Sequence, residues 1–509
     1  MNVKRTKPVK LEKTFLFAIK SLMMICLFIT FFGFFMIQIP QLKTLNRTSI
    51  VSFGIFFISV FSFIRIYGGF PVGKKHTSDI RNYAILGTLV GDIITFITMY
   101  VMGISATQYY EFSDEFVGPV DPLLNNQPSF STFLGHYLHD KVLPGLAILL
   151  IVIILQIIII WIFARFSNTI YFKINMPKKA MIIYNYIEDL PILVSKIKKN
   201  PHRWKLTQLV KYDDKKILRK IRGNGAVFFF DVPREKRAPL LEFCYKHNKD
   251  IYISPDVSDI IVYSSSRLIV DDTTVLSTTN YGMSFEQLLL KRLGDIIFSS
   301  IFIVLTSPIM LFFATAIMIY DQGPVIYKQK RLTKDGKEFN LLKFRSMIVN
   351  AEKNTGAMIA KEDDDRITPI GKILRRFRID ELPQLFNIFK GDMSVVGPRP
   401  ERMEIAEEYK KQLPEFQYRL KVKAGLTGLA QIMSKYNTTP KDKLTLDLAY
   451  IQQYSLWLDI KLIFQTLIVF LKSDSTEGSK DIDNDTIEFV KKQLKKTNKK
   501  QTDNYAKDQ

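Results

Sequence analysis

The chain has 509 residues, 47% of them hydrophobic with 39 Phe, which allows about three domain-sized units and leaves room for segments in lipid. A formal net charge of +22 asks for an anionic partner: nucleic acid, lipid headgroups or phosphorylated substrates. Two cysteines, Cys26 in an apolar run and Cys244 far from it, exclude a disulfide framework and a zinc cluster.

Four apolar segments come first, near 15–39, 48–66, 83–103 and 143–165. Each approaches the roughly 20 residues a helix needs to cross a bilayer. The first resembles a signal peptide but is too long and lacks a small-residue cleavage site, so it reads as a retained anchor. Lys4, Arg5, Lys7, Lys10 and Lys13 precede it, and Lys74, Lys75 and Arg81 lie between the second and third segments. The loop before the fourth is acidic, with Glu111, Asp114, Glu115 and Asp121. The positive-inside rule therefore places the N-terminus and everything after Arg165 in the cytoplasm. Asp92, inside the third segment, is either functional or simply bundle-facing. Residues 1–168 form a transmembrane region with four helices.

Residues 169–280 read as a cytoplasmic α/β unit of Rossmann-like, parallel-sheet type. Strands are expected at Ala180-Met-Ile-Ile-Tyr184, Gly225-Ala-Val-Phe-Phe-Phe-Asp231 and Ile251-Tyr-Ile-Ser254, with a helix around 187–198. The turn after the first strand, Tyr184-Asn-Tyr-Ile-Glu188, has no glycine, so a pyrophosphate could not approach its backbone closely. A structural or regulatory role is expected for this unit rather than nucleotide binding.

A fifth apolar segment covers 294–320. Ser307-Pro308 lies near its middle, where proline removes a helix hydrogen bond. Both flanks are basic: Lys291 and Arg292 before it, Lys328, Lys330, Arg331, Lys334 and Lys337 after it. A helix that enters, bends and leaves on the same face satisfies both features better than one that crosses. Leu456 to Leu471 is too short to span and reads as packed or interfacial, and residues 474–509 read as a polar, solvated tail, with a short basic helix over Glu488 to Lys496 against anionic lipid as the alternative.

No histidine follows His247 and no cysteine follows Cys244, so the motif-rich region 285–472 must work with Asp, Glu, Lys, Arg and hydroxyls. Ser-His-Asp and Cys-His systems are excluded there, and carboxylates with a hard cation remain. In Arg378-Ile-Asp-Glu-Leu-Pro-Gln-Leu385 the adjacent Asp380 and Glu381 diverge by roughly 100° on a helix, so one can attack while the other holds a metal. Arg375, five residues upstream, is close enough to share the site at a helix start. Pro398-Arg399-Pro400 fixes an arginine on a rigid turn, suited to phosphate.

From about Lys291 to Lys472 the chain resembles the bacterial sugar transferases, the monotopic polyprenyl phosphoglycosyl transferases, in their long form. The resemblance rests on Lys291-Arg-Leu-Gly-Asp295, Gly323-Pro-Val-Ile-Tyr-Lys-Gln329, Lys343-Phe-Arg-Ser-Met347, Asp365-Arg-Ile-Thr368, Asp380-Glu-Leu-Pro-Gln384, Gly391-Asp-Met-Ser394 through Pro400, Gly425-Leu-Thr-Gly-Leu-Ala-Gln431 and Asp447-Leu-Ala-Tyr450. It implies an α-rich catalytic domain anchored by a re-entrant helix broken at Ser307-Pro308. It also implies transfer of a sugar-1-phosphate from a UDP-sugar to undecaprenyl phosphate with release of UMP, starting exopolysaccharide or capsule repeat units at the bacterial inner membrane. Asp380 would be the nucleophile and Glu381 a Mg²⁺ ligand. Arg375 would bind phosphate, Arg399 with Pro398 and Pro400 the nucleotide end, and Lys343 and Arg345 would flank the site. A homo-oligomer and contacts with other polysaccharide-assembly proteins are compatible with the membrane and α/β parts. Three positions depart from the family pattern: Thr333 for a usual glycine, Ala424 for a proline and Ser434 for a glycine.

Two other readings stand beside this one. A nucleotide-sugar glycosyltransferase would use an Asp-x-Asp metal site, a spacing met by Asp363/Asp365 and Asp483/Asp485, and would release UDP. A non-catalytic membrane scaffold would tolerate loss of Asp380. Lys435, Tyr436 and Asn437 read either as substrate contacts or as a plain turn. Nucleic acid is not expected as a partner, because the basic residues gather at membrane flanks and motifs rather than in one stripe with aromatics.

Overall fold

In this computed structural model the residues described are 9–73, 76–103, 130–263, 265–278, 283–349, 364–434, 438–471 and 484–505. The acidic loop 104–129, Lys4, Arg5, Lys7, Lys74, Lys75, Lys435, Tyr436, Asn437, Lys472, Asp363 and Asp483 lie outside them. The chain divides into two compact units, Met1–Pro177 and Lys178–Gln509.

The first unit is helical: α1 (Val9–Gln38), α2 (Arg47–Tyr67), α3 (Thr77–Gly103), the short α4 (Phe130–Tyr137) and α5 (Leu143–Ile174). Asn46 starts α2 with a capping box closed by Ser49, and Gly68 ends it in the left-handed region at φ 81°. α2 and α3 touch backbone to backbone. A Cβ on Gly87 would stand 2.6 Å from the Ile64 nitrogen, and one on Gly91 2.5 Å from Val60 Cγ2. Phe31, Phe32, Phe35 and Phe56 fill the centre. The outer faces are apolar too, with Ile58, Leu150, Ile154 and Ile162 exposed, the distribution expected of helices in lipid. Among the described residues, four helices here and one in the second unit are long and apolar enough to cross a membrane. The chain is a membrane protein.

The second unit opens on a four-stranded parallel sheet in the order β2-β1-β3-β4: β1 (Lys178–Tyr184), β2 (Trp204–Lys211), β3 (Ala226–Phe230) and β4 (Asp250–Ile253). The sequence reading missed β2, whose Lys and Gln residues mask its pattern at the sheet edge. Side chains alternate across β1. Met181 and Ile183 join α7 (Ile217–Arg222) and α8 (Arg234–Lys246), while Ile182 and Tyr184 face α6 (Leu190–Lys198). The glycine-free turn leads into α6 as expected.

The solvated tail needs correction. Asn484–Tyr505 forms a helix, and its Phe489, Val490 and Leu494 close the α6 face of the sheet. Three apolar residues at helical spacing, in a segment otherwise rich in lysine, supply that stripe. After β4 come α9 (Val257–Tyr263) and an exposed hairpin, β5 (Ser266–Val270) with β6 (Thr273–Ser277).

The motif-rich part follows. α10 runs unbroken from Phe285 to Asp321 with Pro308 inside it. Proline leaves the Val304 carbonyl without its helical donor, and the Ser307 hydroxyl donates to it at 2.8 Å. β7 (Ile326–Leu332) pairs antiparallel with β8 (Glu338–Phe344). α11 (Pro369–Arg376), α12 (Gln384–Lys390) and α13 (Met403–Gln412) follow, with α14 (Leu429–Met433), α15 (Pro440–Gln452) and α16 (Leu456–Leu471) beyond. Two three-residue strands, β9 (Ser394–Val396) and β10 (Gly425–Thr427), pair in parallel. Their approach needs glycine, since a Cβ on Gly425 would stand 2.0 Å from the Gly397 nitrogen. α16 is packed, with Asp459, Leu462 and Gln465 buried.

Candidate active site

The site is assembled from the end of β8, the segment from α11 to α12, and the Pro398–Pro400 turn. Thr368 caps α11, its Oγ1 accepting from the Gly371 amide at 2.9 Å. The helix lies so close to the strand end that a Cβ on Gly371 would stand 2.0 Å from the Ser346 oxygen. Arg378 then takes the left-handed conformation, φ 56°, costly for a residue with a Cβ. That reversal sends Ile379–Glu381 into a 3₁₀ turn carrying Asp380 and Glu381 side by side.

Three cations converge on Glu381 Oε1: Arg399 Nη2 at 3.6 Å, Arg378 Nη1 at 3.7 Å and Lys343 Nζ at 3.8 Å. Burial alone would push this carboxyl up, but Lys343, Arg399 and Arg378 outweigh it and hold it below the usual range. Asp380 answers differently. Burial, reinforced by the Glu381 charge, pushes it up to about 6 against the pull of Lys343, Arg375 and Arg378. Burial also lowers Lys343, with Glu381 opposing. Two adjacent carboxyls are thus driven apart, the pattern that gives a pair two different roles. Arg375 sits in the last turn of α11 rather than at a helix start, and its Nε donates to Ser346 Oγ at 2.9 Å. Arg345 is buried against Gly323 and is not one of the three cations on Glu381.

Sequence reasoning named Arg399 but not what holds it. The Pro398 carbonyl accepts from the Gly425 amide at 2.8 Å, and the Pro400 carbonyl from Arg331 Nη1 at 3.1 Å. The buried Arg419 donates through Nη2 to the Arg399 carbonyl at 3.0 Å while pairing with Asp447 at 2.8 Å and Glu401 at 3.3 Å. Burial pushes Asp447 up to about 6, with Arg419 opposing. The Asp447-Leu-Ala-Tyr450 motif therefore acts at the Arg399 turn from a distance in sequence, and charge type was its only signal.

The Lys291-Arg-Leu-Gly-Asp295 motif has a similar explanation. Lys291 Nζ bonds Asp459 at 2.6 Å and the Tyr450 hydroxyl at 3.2 Å. Arg292 caps the C-terminus of α12 by donating to the Ile388 and Phe389 carbonyls at 2.8 and 2.7 Å. Asp295 accepts from Ser394 Oγ at 3.0 Å and the Val395 amide at 2.9 Å. Buried Asn387 ties α12 to the hairpin, accepting from the Leu342 amide and donating to the Asn340 carbonyl, both at 2.9 Å. Two of the family departures touch each other: Thr333 Oγ1 donates to the Asp392 carbonyl at 2.9 Å and accepts from the Ala424 amide at 3.2 Å. A proline at 424 would have no N–H to give.

Glu381 offers an ionised carboxylate and Asp380 a second oxygen pair beside it. That is the hard-oxygen set Mg²⁺ takes when substrate phosphates and water complete its shell. Among the described residues no group of three or more His, Cys, Asp or Glu could hold a metal unaided. The donor set fits a cation that arrives with a pyrophosphate.

A profile of the bacterial sugar transferase family matches residues 286–473. A glucose-1-phosphate transferase of Caulobacter vibrioides, named for UDP-glucose and undecaprenyl phosphate, is 37% identical over 190 residues, 36% of this chain and 71% of its own. This chain belongs to the bacterial sugar transferase family. An N-acetylgalactosaminephosphotransferase of Aeromonas hydrophila, acting on UDP-N-acetylgalactosamine and undecaprenyl phosphate, is 42% identical over 185 residues, 36% of this chain and 44% of its own. A Klebsiella pneumoniae enzyme named for UDP-glucose and undecaprenyl phosphate is 40% identical over 222 residues, 43% of this chain and 47% of its own. The chain thus spans a little under half the length of these last two relatives. Every residue of the candidate site lies inside the matched stretch.

Proposed function

We propose that this membrane protein transfers a sugar-1-phosphate from a UDP-sugar to undecaprenyl phosphate, releasing UMP, as the first step of exopolysaccharide or capsule repeat-unit synthesis. The observation that carries the reading is the Asp380–Glu381 pair, with its two carboxyls driven in opposite directions inside a ring of Lys343, Arg375, Arg378 and Arg399. An Asp380 oxygen attacks the sugar-bearing phosphorus of the UDP-sugar. The bond from that phosphorus to the bridging oxygen breaks, UMP leaves with the electron pair, and a phosphosugar remains esterified to Asp380. A phosphate oxygen of undecaprenyl phosphate then attacks the same phosphorus and frees the aspartate. Arg375 and Arg399 orient the pyrophosphate and offset its charge. Mg²⁺ held by Glu381 would supply further neutralisation of the phosphoryl oxygens.

We also assign α10 a re-entrant path, with the catalytic part on the cytoplasmic face of the inner membrane. Ile260, which precedes α10, shares one hydrophobic core with Phe339, Leu385 and Leu462, which follow it. The first turns of α10 bind β9 and α16 through Asp295 and Lys291, while Met310 and Ile317 pack with Phe344 and Leu374. A crossing helix would place those partners on opposite faces. Exposed Ile301, Val304, Leu305, Leu311 and Phe312 give the helix its lipid contact.

The rival Asp-x-Asp sites lack support: Asp365 is exposed on a turn and Asp485 on the C-terminal helix. The deciding experiment supplies membranes containing the protein with Mg²⁺, undecaprenyl phosphate and a panel of UDP-sugars, then identifies the nucleotide released. UMP with one sugar supports the proposal and names the donor; UDP overturns it.

A further inference from the structure

The α/β part supplies no side chain to the proposed site, yet it is tied to the catalytic part by charge. Asp231 directly follows β3 and takes the left-handed conformation, φ 50°, which is costly for a residue with a Cβ. Asp256 follows β4 at the same end of the sheet. Lys441, in the first turn of α15, reaches both: its Nζ donates to Asp231 Oδ1 at 2.6 Å and pairs with Asp256 Oδ1 at 3.1 Å. Ligands of open parallel sheets bind outside the carboxyl ends of the strands. Here that end holds a side chain of the same protein.

The segment that carries Asp256 is itself held. Asp259, in the first turn of α9, accepts from the buried Arg237 of α8 at 2.6 and 2.8 Å and from the Asp256 amide at 3.1 Å. Ile260 of the same helix lies in one core with Leu444 and Leu448 of α15. Lys196 of α6 adds an outer pair with Asp442 at 3.5 Å. The Lys441 side chain is 39% exposed, so its pairs add little to stability. Two carboxylates on different strands do fix where one ammonium, and with it the first turn of α15, can stand.

α15 carries that placement towards the site. Asp447 lies about 9 Å beyond Lys441 along the helix and about 120° around it, so the two side chains face different parts of the protein. Asp447 pairs with Arg419 at 2.8 Å, Arg419 donates to the Arg399 carbonyl at 3.0 Å, and Arg399 Nη2 stands 3.6 Å from Glu381. We propose that Lys441 is a positioning residue: through Asp231 and Asp256 the α/β part sets the register of α15, and with it the Arg399 turn that orients the UDP-sugar pyrophosphate. The inference rests on the role proposed above for Arg399.

The test follows UMP release by the full-length protein in membranes with Mg²⁺ and undecaprenyl phosphate, varying the UDP-sugar that the panel above selects. Lys441→Met should raise KM for that sugar by about fivefold and change kcat by less than about twofold. Lys441→Arg keeps the charge and should restore most of the loss. The deciding arm combines Lys441→Met with Asp447→Asn. Changes on one path do not add, so the double variant should match Asp447→Asn alone. If Lys441→Met fails to fold, Asp256→Asn, at a half-exposed carboxylate, should still raise KM by about twofold. An unchanged KM in the folded variant, a fall in kcat alone, or effects of Lys441→Met and Asp447→Asn that multiply would overturn the inference. Wild-type protein that releases no UMP with any UDP-sugar, or Asp380→Asn that still does, would instead overturn the functional reading, and the inference with it.

Discussion

Asp380 is half-buried beside a carboxylate yet ringed by cations, and its ionisation at about pH 6 is the balance of the two. A nucleophile must be ionised, so UMP release should rise with pH through about 6 and level off above it. Lys343 is the largest of the opposing cations, so Lys343→Met should carry this limb to higher pH as well as slowing the plateau. A pH–rate profile checks both, and a limb that stays in place would separate it from Asp380. The adjacent carboxyls were legible in the sequence because they stand together in a run with arginines. Their separate roles came from the family resemblance; that Lys343, Arg375, Arg378 and Arg399 drive the two carboxyls in opposite directions was not legible, because β8, α11 and a proline turn are brought together only by folding. Asp447 shows the same limit, since its charge acts on Arg399 through buried Arg419. We expect Asp447→Asn to raise KM for the UDP-sugar several-fold with less effect on kcat, and Asp447→Glu to recover part of the loss. Steady-state kinetics separate this from simple unfolding, which would lower the active fraction and leave KM alone.

At the level of elements, α10 is the spine of the catalytic part. Its first turns hold α12 and β9, and its remainder is apolar, with Met310 and Ile317 packed on Phe344 and Leu374 and residues such as Val304 and Leu311 exposed. The sequence showed an apolar segment with basic flanks and a proline, and those features pointed to re-entry. What the flanking charges touch was hidden, because Lys291 meets a partner far along the chain in α16. The Lys291–Asp459 pair is only 9% exposed on either side. Removing one member of such a pair strands the other charge, at a cost of about 3–5 kcal/mol. Asp459→Asn should therefore lower the unfolding temperature markedly, and Asp459→Glu much less; thermal unfolding in detergent checks this. The C-terminal helix teaches a different lesson. Its lysine-rich composition suggested solvent, while Phe489, Val490 and Leu494 carried a stripe that a sheet face could bury.

Across the whole molecule, long apolar helices, an α/β sheet and the proposed phosphoryl-transfer site belong to one chain. The four apolar segments and the parallel sheet were readable because hydropathy and strand runs are local signals. Edge strand β2 and the exposed β5–β6 hairpin were not, because polar residues dilute the first and short length hides the second. The re-entrant path gives a prediction at this scale. On a cysteine-free background, Ser284→Cys and Lys328→Cys should both react with a membrane-impermeant thiol reagent only once the inner membrane is opened. Labelling of one from outside intact cells would mean that α10 crosses. The central claim is a covalent phosphosugar on Asp380, and it is tested most directly by leaving out the lipid acceptor. Purified protein given Mg²⁺ and its UDP-sugar alone should release a burst of about one equivalent of UMP and carry a phosphosugar adduct on Asp380 by mass spectrometry. Asp380→Asn should show neither. If no UMP appears until undecaprenyl phosphate is added, or if Asp380→Asn gives the same burst, Asp380 is not the nucleophile.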